Sequence, residues 1–551
     1  METYDFIVIG AGSAGCVLAN RLSATGRYSV LVLEAGGSDL TPSIHLPIAY
    51  GKCFFDARFN WKYQSEPEPT LDGRRIYVPR GKVVGGSSSI NGMVHVRGHP
   101  CDFDDWETAG AKGWAWADVE PGFRRLEDWS GSREFRSGGR DPRGRGGPLP
   151  VQDVSDDVHP LCKRFLEAAH QVGFPYNADY NGDDMEGACI YQLTTRRGLR
   201  VSAAGGYLRP ALRRTRGNLR LILRAHATRI LFEGRRARQV TLKGRGGDRC
   251  ATAGREIVLS AGALNSPQLL QLSGIGPSPL LEDHGIRVLA DRPAVGANLQ
   301  DHLSVDLHYR VNVETLNEVL GTWFGRARAA LRYMATRSGP LSLSDNQGGG
   351  FVRTRCGLAA PNIQLYFAPA SYTAPTPGRR PLLSPDPFPG ILIGFSPCRP
   401  TSFGEIGIRS ADPVEPPSIR LNLLATTADK REAVEGIHLM RRLAGTDALR
   451  PIVEEEVVPG RQVEDDADCL EFARAAASSV FHPCGSCRMG RSARDSVVDP
   501  RLRVHGFDGL RVVDASVFPN ITSGNINAAV IMTGERASDL ILEDNDDGGR
   551  R

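Results

Sequence analysis

The feature that most restricts the fold is a glycine-rich turn near the start of the sequence, GAGSAG at residues 10–15, which follows an apolar run at 6–9. Gly10 lets the chain turn sharply after a strand, and Gly12 lets the backbone approach a pyrophosphate closely. Gly15 lets the following helix pack tightly against the sheet. The N-terminus of that helix presents unpaired N–H groups and a positive dipole end to phosphates. This order of strand, turn and helix predicts a nucleotide-binding unit.

A second apolar run, residues 30–33, ends at Glu34, about 20 residues after the last glycine of the turn. A carboxylate at that position accepts hydrogen bonds from ribose hydroxyls and repels a 2′-phosphate. The alternative is an ordinary glycine-rich turn, which the flanking strands and the acid disfavour. The pattern does not separate NAD from FAD.

Composition excludes several classes of protein. The 551 residues are 41% hydrophobic and 24% charged, as in soluble globular proteins, and the net charge of +4 arises from arginines dispersed among acids. No basic stripe for nucleic acid is present. Eleven cysteines, an odd number with scattered spacing, favour a reducing compartment over a disulfide framework. We expect neither a signal peptide nor a bilayer-spanning segment, and therefore a cytoplasmic protein, with peripheral membrane attachment left open.

Further buried strands are predicted at 220–223, 256–260 and 510–514, so elements of nucleotide-binding type occur at the start, the middle and the end of the chain. One domain interrupted by a second explains this distribution better than consecutive domains. Segments 131–148 and 374–390 are predicted to be surface loops, the second one a candidate lid. The last residues are predicted to form a disordered tail.

Six strings along the chain carry a family resemblance. They are GAGSAG with Glu34, RGKVVGGSSSINGMVHVRG at 80–98, GALNSPQLLQLSGIG at 262–276, VGANLQDH at 295–302, HPCGSCRMG at 482–490, and VVDASVFPNITSGNINAAVIMTGERASDLI at 512–541. In these strings the sequence resembles the glucose-methanol-choline (GMC) oxidoreductases, which bind FAD. The similarity extends over nearly the whole chain and points to the branch with choline dehydrogenases and bacterial FAD-linked alcohol dehydrogenases.

The resemblance implies an α/β fold, α+β overall, in which a Rossmann-like FAD-binding domain is interleaved with a substrate-binding domain built on an antiparallel sheet with helices. The FAD-binding domain is expected to comprise residues 1–45, 78–100, 200–302 and 480–541. The substrate-binding domain and its connecting loops are expected at 46–77, 101–199 and 303–479, with a disordered tail at 542–551.

Two residues are candidates for catalysis. Oxidation of an alcohol requires a base for the hydroxyl proton and an acceptor for the hydride, and a neutral imidazole suits the first task near neutral pH. His482 matches the family's active-site histidine, and Asn525 matches the position that is histidine or asparagine beside it. Without the resemblance, His482 would be read as a turn histidine before Pro483, and Asn525 as a loop residue.

The resemblance also implies a set of cofactor-binding residues. They are Gly10, Gly12, Ser13, Ala14, Gly15, Glu34, Ala35, Gly81, Val84, Gly85, Gly86, Ser87, Asn91, Gly92, Met93, Val94, Ala227, Ala261, Asp514, Ala515, Asn525, Asn527 and Ala528. In some relatives a histidine in the second motif holds the flavin covalently. Ile90 occupies the corresponding place here, so non-covalent FAD is predicted. Asn298 and Asp301 are left open between a structural and a functional role.

Cys484 and Cys487 form a C-x-x-C pair two residues after His482, a spacing found in dithiol redox sites and half zinc sites. A structural zinc site needs four ligands, and no second pair of this kind occurs in the sequence. We therefore expect no metal, and we leave a disulfide between the two cysteines open.

Substrate identity is the least constrained property. The substrate side is expected from 303–470 and from the loop at 45–65 with Phe54, Phe55 and Trp61. Gln347 stands where choline-dehydrogenase-like sequences tend to carry glutamate, and Asp345 substitutes only if the backbone shifts. For the aromatic residues Trp323, Phe324 and Tyr333 core packing is favoured over a pocket wall.

The function predicted is FAD-dependent oxidation of a primary alcohol or polyol to the aldehyde or ketone. Two alternatives remain: choline dehydrogenase-like activity, and a non-redox hydroxynitrile lyase on the same fold. The partner is a small-molecule alcohol. The electron acceptor (oxygen, quinone or another carrier) and the oligomeric state are left open.

Overall fold

The computed structural model describes residues 3–131, 142–215, 217–244, 247–372 and 385–546. Its strands are β1 (Thr3–Ile9), β2 (Val30–Glu34), β3 (Tyr63–Gln64), β4 (Tyr77–Val78), β5 (Glu127–Trp129), β6 (Leu149–Val151), β7 (Gly187–Ile190), β8 (Thr195–Arg196), β9 (Leu199–Arg200), β10 (Leu219–Leu223), β11 (His226–Glu233), β12 (Arg236–Gly244), β13 (Gly247–Leu259), β14 (Ile275–Gly276), β15 (Ala290–Asp291), β16 (Leu303–Val311), β17 (Gly348–Val352), β18 (Ile363–Ala368), β19 (Gly390–Pro397), β20 (Glu405–Gly407), β21 (Ser418–Arg420), β22 (Val453–Val458), β23 (Ser478–Ser479) and β24 (Leu510–Val512).

The α-helices are α1 (Ser13–Ser23), α2 (Pro42–His45), α3 (Tyr50–Cys53), α4 (Pro100–Thr108), α5 (Trp116–Leu126), α6 (Leu161–Gln171), α7 (Arg209–Arg214), α8 (Gly262–Leu272), α9 (Ser278–Asp283), α10 (Leu316–Gly321), α11 (Trp323–Thr336), α12 (Thr427–Ala444), α13 (Asp466–Ala476) and α14 (Asn527–Asp546).

The first sheet has the strand order β10-β2-β1-β13-β12-β11, and β24 pairs with the far end of β13. Strands β10, β2, β1, β13 and β24 pair in parallel, whereas β11 and β12 pair antiparallel. The apolar residues of β1 and β2 are buried because both faces of this sheet are covered, which explains their continuous apolar runs. Helix α1 packs on α14, and α14 also packs on α5.

The second sheet is antiparallel, with the order β22-β16-β19-β18-β17-β7 and β23 paired to β16. Helix α12 packs on β16 and β19, and α6 packs on β7, β17 and β18. A Rossmann-like parallel sheet beside an antiparallel sheet with helices confirms the predicted fold class. The strands of the two sheets come from alternating segments of the chain, while the domain boundaries themselves stay a prediction.

The expected strands at 220–223, 256–260 and 510–514 correspond to β10, β13 and β24. The disordered tail was expected to begin at 542, which is wrong for 542–546: helix α14 continues to Asp546, where that carboxylate accepts a hydrogen bond from Tyr28. Residues 547–551 lie outside the described residues. So do 132–141 of the first predicted loop and 373–384 of the candidate lid.

The turn after β1 needs glycine for steric reasons. Gly10 has a φ of +103°, and a Cβ on it would lie 2.4 Å from the carbonyl oxygen of Ser260, at the end of β13. A Cβ on Gly15 would lie 1.9 Å from the carbonyl oxygen of Gly10. The first turn of α1 therefore sits directly against the strand ends, the arrangement predicted from the spacing of these glycines.

We expect Gly10→Ala to lower the thermal unfolding midpoint more than Gly285→Ala. Both residues have a positive φ, which costs a side-chain-bearing residue about 1–2 kcal/mol. A Cβ on Gly285 meets nothing within 4 Å, whereas the one on Gly10 meets backbone and adds about 1–3 kcal/mol of overpacking. Equal midpoints for the two variants would contradict this account of the turn.

Candidate active site

A cavity of about 840 Å³ is lined by both sheets. The first sheet contributes residues at the carboxyl ends of β1 and β2 and just beyond β13, which is where ligands bind in open α/β sheets. The second sheet contributes alternate side chains of β16, namely Ser304, Asp306 and His308. The cavity thus joins the predicted nucleotide side of the molecule to its predicted substrate side.

Most of the predicted site residues lie in this wall. They are Gly10, Gly12, Ser13, Ala14, Glu34, Ala35, Gly81, Gly86, Ser87, Asn91, Gly92, Met93, Val94, Ala227, Ala261, Asp514, Ala515, Asn525, Asn527 and His482. Gly15, Val84, Gly85 and Ala528 are buried but do not contribute to the wall.

Two glycine segments meet to form a cradle. Gly86 has a φ of +54°, and a Cβ on it would lie 2.8 Å from the Cα of Gly12. The N–H of Gly85 donates to the carbonyl of Ala11 at 2.7 Å, which holds the two segments together. Gly12 and Gly86 also line the cavity, where the absence of side chains at these positions leaves space for a phosphate chain, so the residues present fit a dinucleotide.

Glu34 lies beside this cradle with its carboxylate directed back to the first turn. It accepts hydrogen bonds from the N–H groups of Ala11 at 2.9 Å and Gly36 at 2.7 Å. Burial nevertheless raises the pKa of Glu34 to about 7. A carboxylate has about four acceptor positions, so it can also receive the hydroxyls of a ribose.

Asp514 also lines the cavity. Its carboxylate accepts from the N–H of Gly262 at 2.8 Å, the hydroxyl of Ser266 at 2.6 Å and the N–H of Ser516 at 2.8 Å. Burial raises its pKa. The side chain therefore joins β24 to the start of α8 as well as facing the cavity.

His482 and Asn525, which are far apart in sequence, meet at the cavity wall. The Nδ2 atom of Asn525 lies 3.1 Å from Nε2 of His482. On the other side of the ring, Nδ1 of His482 lies 3.0 Å from Nδ1 of His302, and Nε2 of His302 lies 2.9 Å from the carbonyl oxygen of Cys398. The two imidazoles stand nearly perpendicular, with an interplanar angle of 87°.

This chain of hydrogen bonds assigns the tautomers of both rings. A carbonyl oxygen only accepts, so Nε2 of His302 carries a hydrogen. Neutral His302 then has a lone pair at Nδ1, and Nδ1 of His482 donates to it. Nε2 of His482 therefore carries no hydrogen and accepts from the amide of Asn525.

Both rings are held in the neutral form. Burial lowers the pKa of His302 to about 4. Burial, with smaller contributions from His302 and the guanidinium of Arg80, lowers the pKa of His482 well below its usual value. An uncharged imidazole whose Nε2 carries no hydrogen is a proton acceptor at the cavity wall, once a substrate hydroxyl replaces the Asn525 amide at that lone pair.

The amide of Asn525 is oriented by its neighbours. Its Oδ1 accepts from Nε2 of Gln364 at 3.1 Å, which leaves Nδ2 to face His482. The same Gln364 nitrogen donates to the hydroxyl of Tyr191, and its Oε1 accepts from Tyr366 at 2.9 Å. Asn525 therefore presents a donor, and not an acceptor, to the cavity.

Asp301 contacts the backbone of the candidate base. It accepts from the N–H of His482 at 2.7 Å and from the hydroxyl of Ser479, and burial raises its pKa to about 6. Arg80 donates to the carbonyl of Phe481 at 2.5 Å. Asn298, with a φ of +60°, donates to the carbonyls of Gly485 and Pro519. Both residues left open in the sequence thus support the loop that carries His482.

Sequence reasoning missed His302, Gln364 and Arg80. His302 lies in the VGANLQDH string, directly after Asp301, so its motif was visible but its contact was not. Gln364 lies on β18, and no local pattern connects it to a loop 161 residues later.

The substrate end agrees with the sequence expectation only in part. Gln347 is buried away from the cavity, where it accepts from the N–H of His159 at 2.7 Å, and Asp345 is also buried outside the wall. Phe54, Phe55 and Trp61 do line it. The side chains that sequence reasoning missed at this end are Asp306, His308, Tyr366 and Tyr372.

The expectation for Trp323 and Phe324 is wrong, because both side chains are exposed on α11. Tyr333 on the same helix is buried and donates to the carbonyl of Gly198 at 2.9 Å. Helix α11 thus contributes one aromatic side chain to the interior and two to the surface.

Cys484 and Cys487 are buried free thiols, and burial raises the pKa of each. Thiols that resist ionisation are poor nucleophiles and poor metal ligands. Within the described residues, no group of three or more histidine, cysteine, aspartate or glutamate side chains could hold a metal ion. Over the same residues, no helix combines the length and apolar character needed to cross a membrane.

Comparison with known proteins supports one family. Residues 4–304 match the N-terminal part of the GMC oxidoreductases, and residues 400–534 match their C-terminal part. An oxygen-dependent choline dehydrogenase of Brucella suis biovar 1 (strain 1330) is 42% identical over 540 residues, covering 98% of this chain and 95% of the relative.

Two solved structures share the fold over nearly their full length. Pyridoxine 4-oxidase from Mesorbium loti superposes with a TM-score of 0.86 and 32% identity, covering 98% of this chain and 99% of the other. A formate oxidase from Aspergillus oryzae RIB40, studied for its FAD modification, gives a TM-score of 0.91 and 28% identity, covering 99% of each chain.

The buried Glu34 generates a pH-dependence of stability in the cofactor-free protein. Its pKa is about 7 when folded and 4.5 when unfolded, so its contribution is fully present below about pH 4.5 and is lost as the pH rises through 7. The free energy of unfolding of Glu34→Gln, taken relative to that of wild type, should therefore rise by about 3 kcal/mol between pH 4.5 and about pH 8. Thermal unfolding at both pH values measures this, and the comparison cancels the pH-independent loss of a hydrogen bond. An unchanged difference between the two proteins would contradict the assignment.

Proposed function

The chain belongs to the GMC oxidoreductase family, as its motifs predicted, and on this premise we propose that it oxidises a primary alcohol or polyol to the aldehyde or ketone with FAD. The observation that carries the proposal is the neutral His482, whose unprotonated Nε2 faces the cavity beside a donating Asn525 amide. The structural and sequence relatives named above, which include oxidases and a dehydrogenase, support FAD-dependent chemistry on a CH–OH group.

FAD fits the residues present. In our proposal Gly12 and Gly86 would hold the pyrophosphate, Glu34 would receive the ribose hydroxyls, and the wall residues predicted from the sequence would hold the remainder. FAD bound there supplies the acceptor for the substrate hydride. Ile90, in the same wall, has a hydrocarbon side chain that cannot form a bond to the flavin, which supports non-covalent binding.

His482 and Asn525 have different roles at the alcohol oxygen. His482 Nε2 takes the hydroxyl proton as the hydride leaves the carbon, and the Nδ2 amide of Asn525 donates to the oxygen as negative charge develops on it. His302 keeps the His482 hydrogen on Nδ1, so that Nε2 carries no hydrogen and can accept one. Asp301 fixes the His482 backbone.

Choline is a second candidate substrate. The 42% identity to a choline dehydrogenase favours it, as do the Asp306 carboxylate and the Tyr366 and Tyr372 rings in the cavity wall, since a quaternary ammonium binds aromatic faces and carboxylates. Against it, Gln347 stands where choline-dehydrogenase-like sequences tend to carry glutamate, but it is uncharged and lies outside the cavity wall. We therefore retain a broader alcohol or polyol as the leading candidate.

A third alternative is a lyase that keeps the fold and the flavin but cleaves a cyanohydrin without redox change.

For the location we propose the cytoplasm, a reducing compartment, supported by the eleven free thiols.

Anaerobic mixing of the FAD-loaded protein with a panel of primary alcohols, polyols and choline tests the function. We expect bleaching of the flavin absorbance by at least one alcohol, and a rate about 100-fold or more lower in His482→Ala. His438→Ala, an exposed histidine on α12, is the matched control and should bleach as wild type does. A flavin that stays oxidised while a cyanohydrin is cleaved would establish the lyase instead. Repeating turnover with oxygen and with a quinone identifies the acceptor.

A second variant tests the role of His302 as a positioning residue. His302→Leu removes the acceptor for Nδ1–H of His482, so the ring can exchange tautomers, and kcat/KM should fall about 100-fold with FAD content unchanged. His302→Gln can both accept from His482 and donate to Cys398, and it should recover most of the activity. If the leucine and glutamine variants lose activity equally, the tautomer assignment is wrong.

A further inference from the structure

Helix α11 presents four large apolar side chains to solvent. Trp323 is 82% exposed, Phe324 73%, Leu331 64% and Met334 66%. A single exposed apolar residue is ordinary on a protein surface, but a group of four on one helix marks a contact surface.

These side chains share one face of the helix. At about 100° per residue, Trp323, Met334, Leu331 and Phe324 fall within a sector about 100° wide. The opposite side holds the buried Ala329 and Tyr333, which attach the helix to the protein. The apolar face therefore points away from the body of the molecule.

Arginines flank this face on both sides. Arg328 and Arg332 follow one edge of the sector, and Arg326 lies beyond the other. Together with Arg337, they give residues 319–344 four positive charges and no acidic side chain. Arg332 has a weak ion pair with Asp157 at 3.9 Å, in which both side chains are exposed. The surface thus combines a narrow apolar stripe with a basic border.

We propose that α11 is an interfacial helix that docks the protein on the surface of an anionic lipid bilayer. An apolar stripe with Trp and Phe inserts at the boundary of headgroups and acyl chains, and flanking arginines pair with anionic headgroups. A second copy of the chain is a poorer occupant, because it would bring two sets of arginines together.

The docked helix lies on the cavity side of the molecule. It packs on the turn Pro340–Ser342, which packs against the turn Pro47–Ala49. The residues just after these turns, Ser344 and Tyr50, line the cavity. Docking would therefore bring this part of the wall near the bilayer. The proposal goes beyond the oxidation chemistry and requires no turnover.

Co-sedimentation with vesicles tests it, using FAD-loaded protein and either phosphatidylcholine alone or phosphatidylcholine mixed with phosphatidylserine. We expect binding to the mixed vesicles that weakens with added salt, and much weaker binding to phosphatidylcholine alone. The double variant Trp323→Ser, Phe324→Ser should weaken binding about tenfold or more. Arg328→Gln with Arg332→Gln should weaken it about fivefold for each arginine removed.

Phe403→Ser and Arg450→Gln, at exposed residues outside α11, are the matched controls and should bind as wild type does. All variants should keep the wild-type thermal midpoint and the wild-type activity on a water-soluble alcohol. Equal binding to both vesicle types, or binding that survives both double variants, would overturn the proposal. A concentration-dependent dimer that the Trp323→Ser, Phe324→Ser variant abolishes would also overturn it, in favour of self-association.

Discussion

The close packing of the first helix on the last is the contact on which both the sheet and the cavity depend. A Cβ on Gly534 would lie 3.0 Å from the Cβ of Val17 and 3.2 Å from the Cα of Ala14, so α1 and α14 touch backbone to backbone. The hydroxyl of Ser13 donates to Asn527 at 2.8 Å, and Arg21 pairs with the buried Glu535. These contacts join the glycine turn to the segment that carries Asn525, and they bring residues more than five hundred positions apart into one wall.

The sequence predicted the parts of the fold that local chemistry determines. The runs in β1, β2 and β10 and the turn at Gly10 are each specified by neighbouring residues, and the structure has them. The end of α14 was mistaken because its polar composition suggested disorder. The carboxylates of Asp544 and Asp546 instead pair with arginines from distant segments, which stabilises the last turn.

The candidate site was predictable where a motif names the residue and unpredictable where only the fold brings partners together. His482 and Asn525 were identified from their strings, and the structure brings them within hydrogen-bond distance. Gln364 and the role of His302 depend on contacts between segments far apart in the chain, which spacing cannot reveal. Trp323 and Phe324 were misjudged because large apolar residues are usually buried, and their exposure follows from which side of α11 meets the protein.

The hydrogen-bond chain behind His482 ends at a group that is too weakly basic to take up a proton. A proton accepted at Nε2 under the proposed mechanism can be shared through Nδ1 with His302, but the next group is the carbonyl oxygen of Cys398, which has no basic site of comparable strength. Positive charge in this dyad therefore has no exit through the protein wall. Under the proposed mechanism the proton must leave through the cavity, by the route that it entered. Until it leaves, the two rings keep a buried positive charge, and His482 cannot accept the proton of a second alcohol.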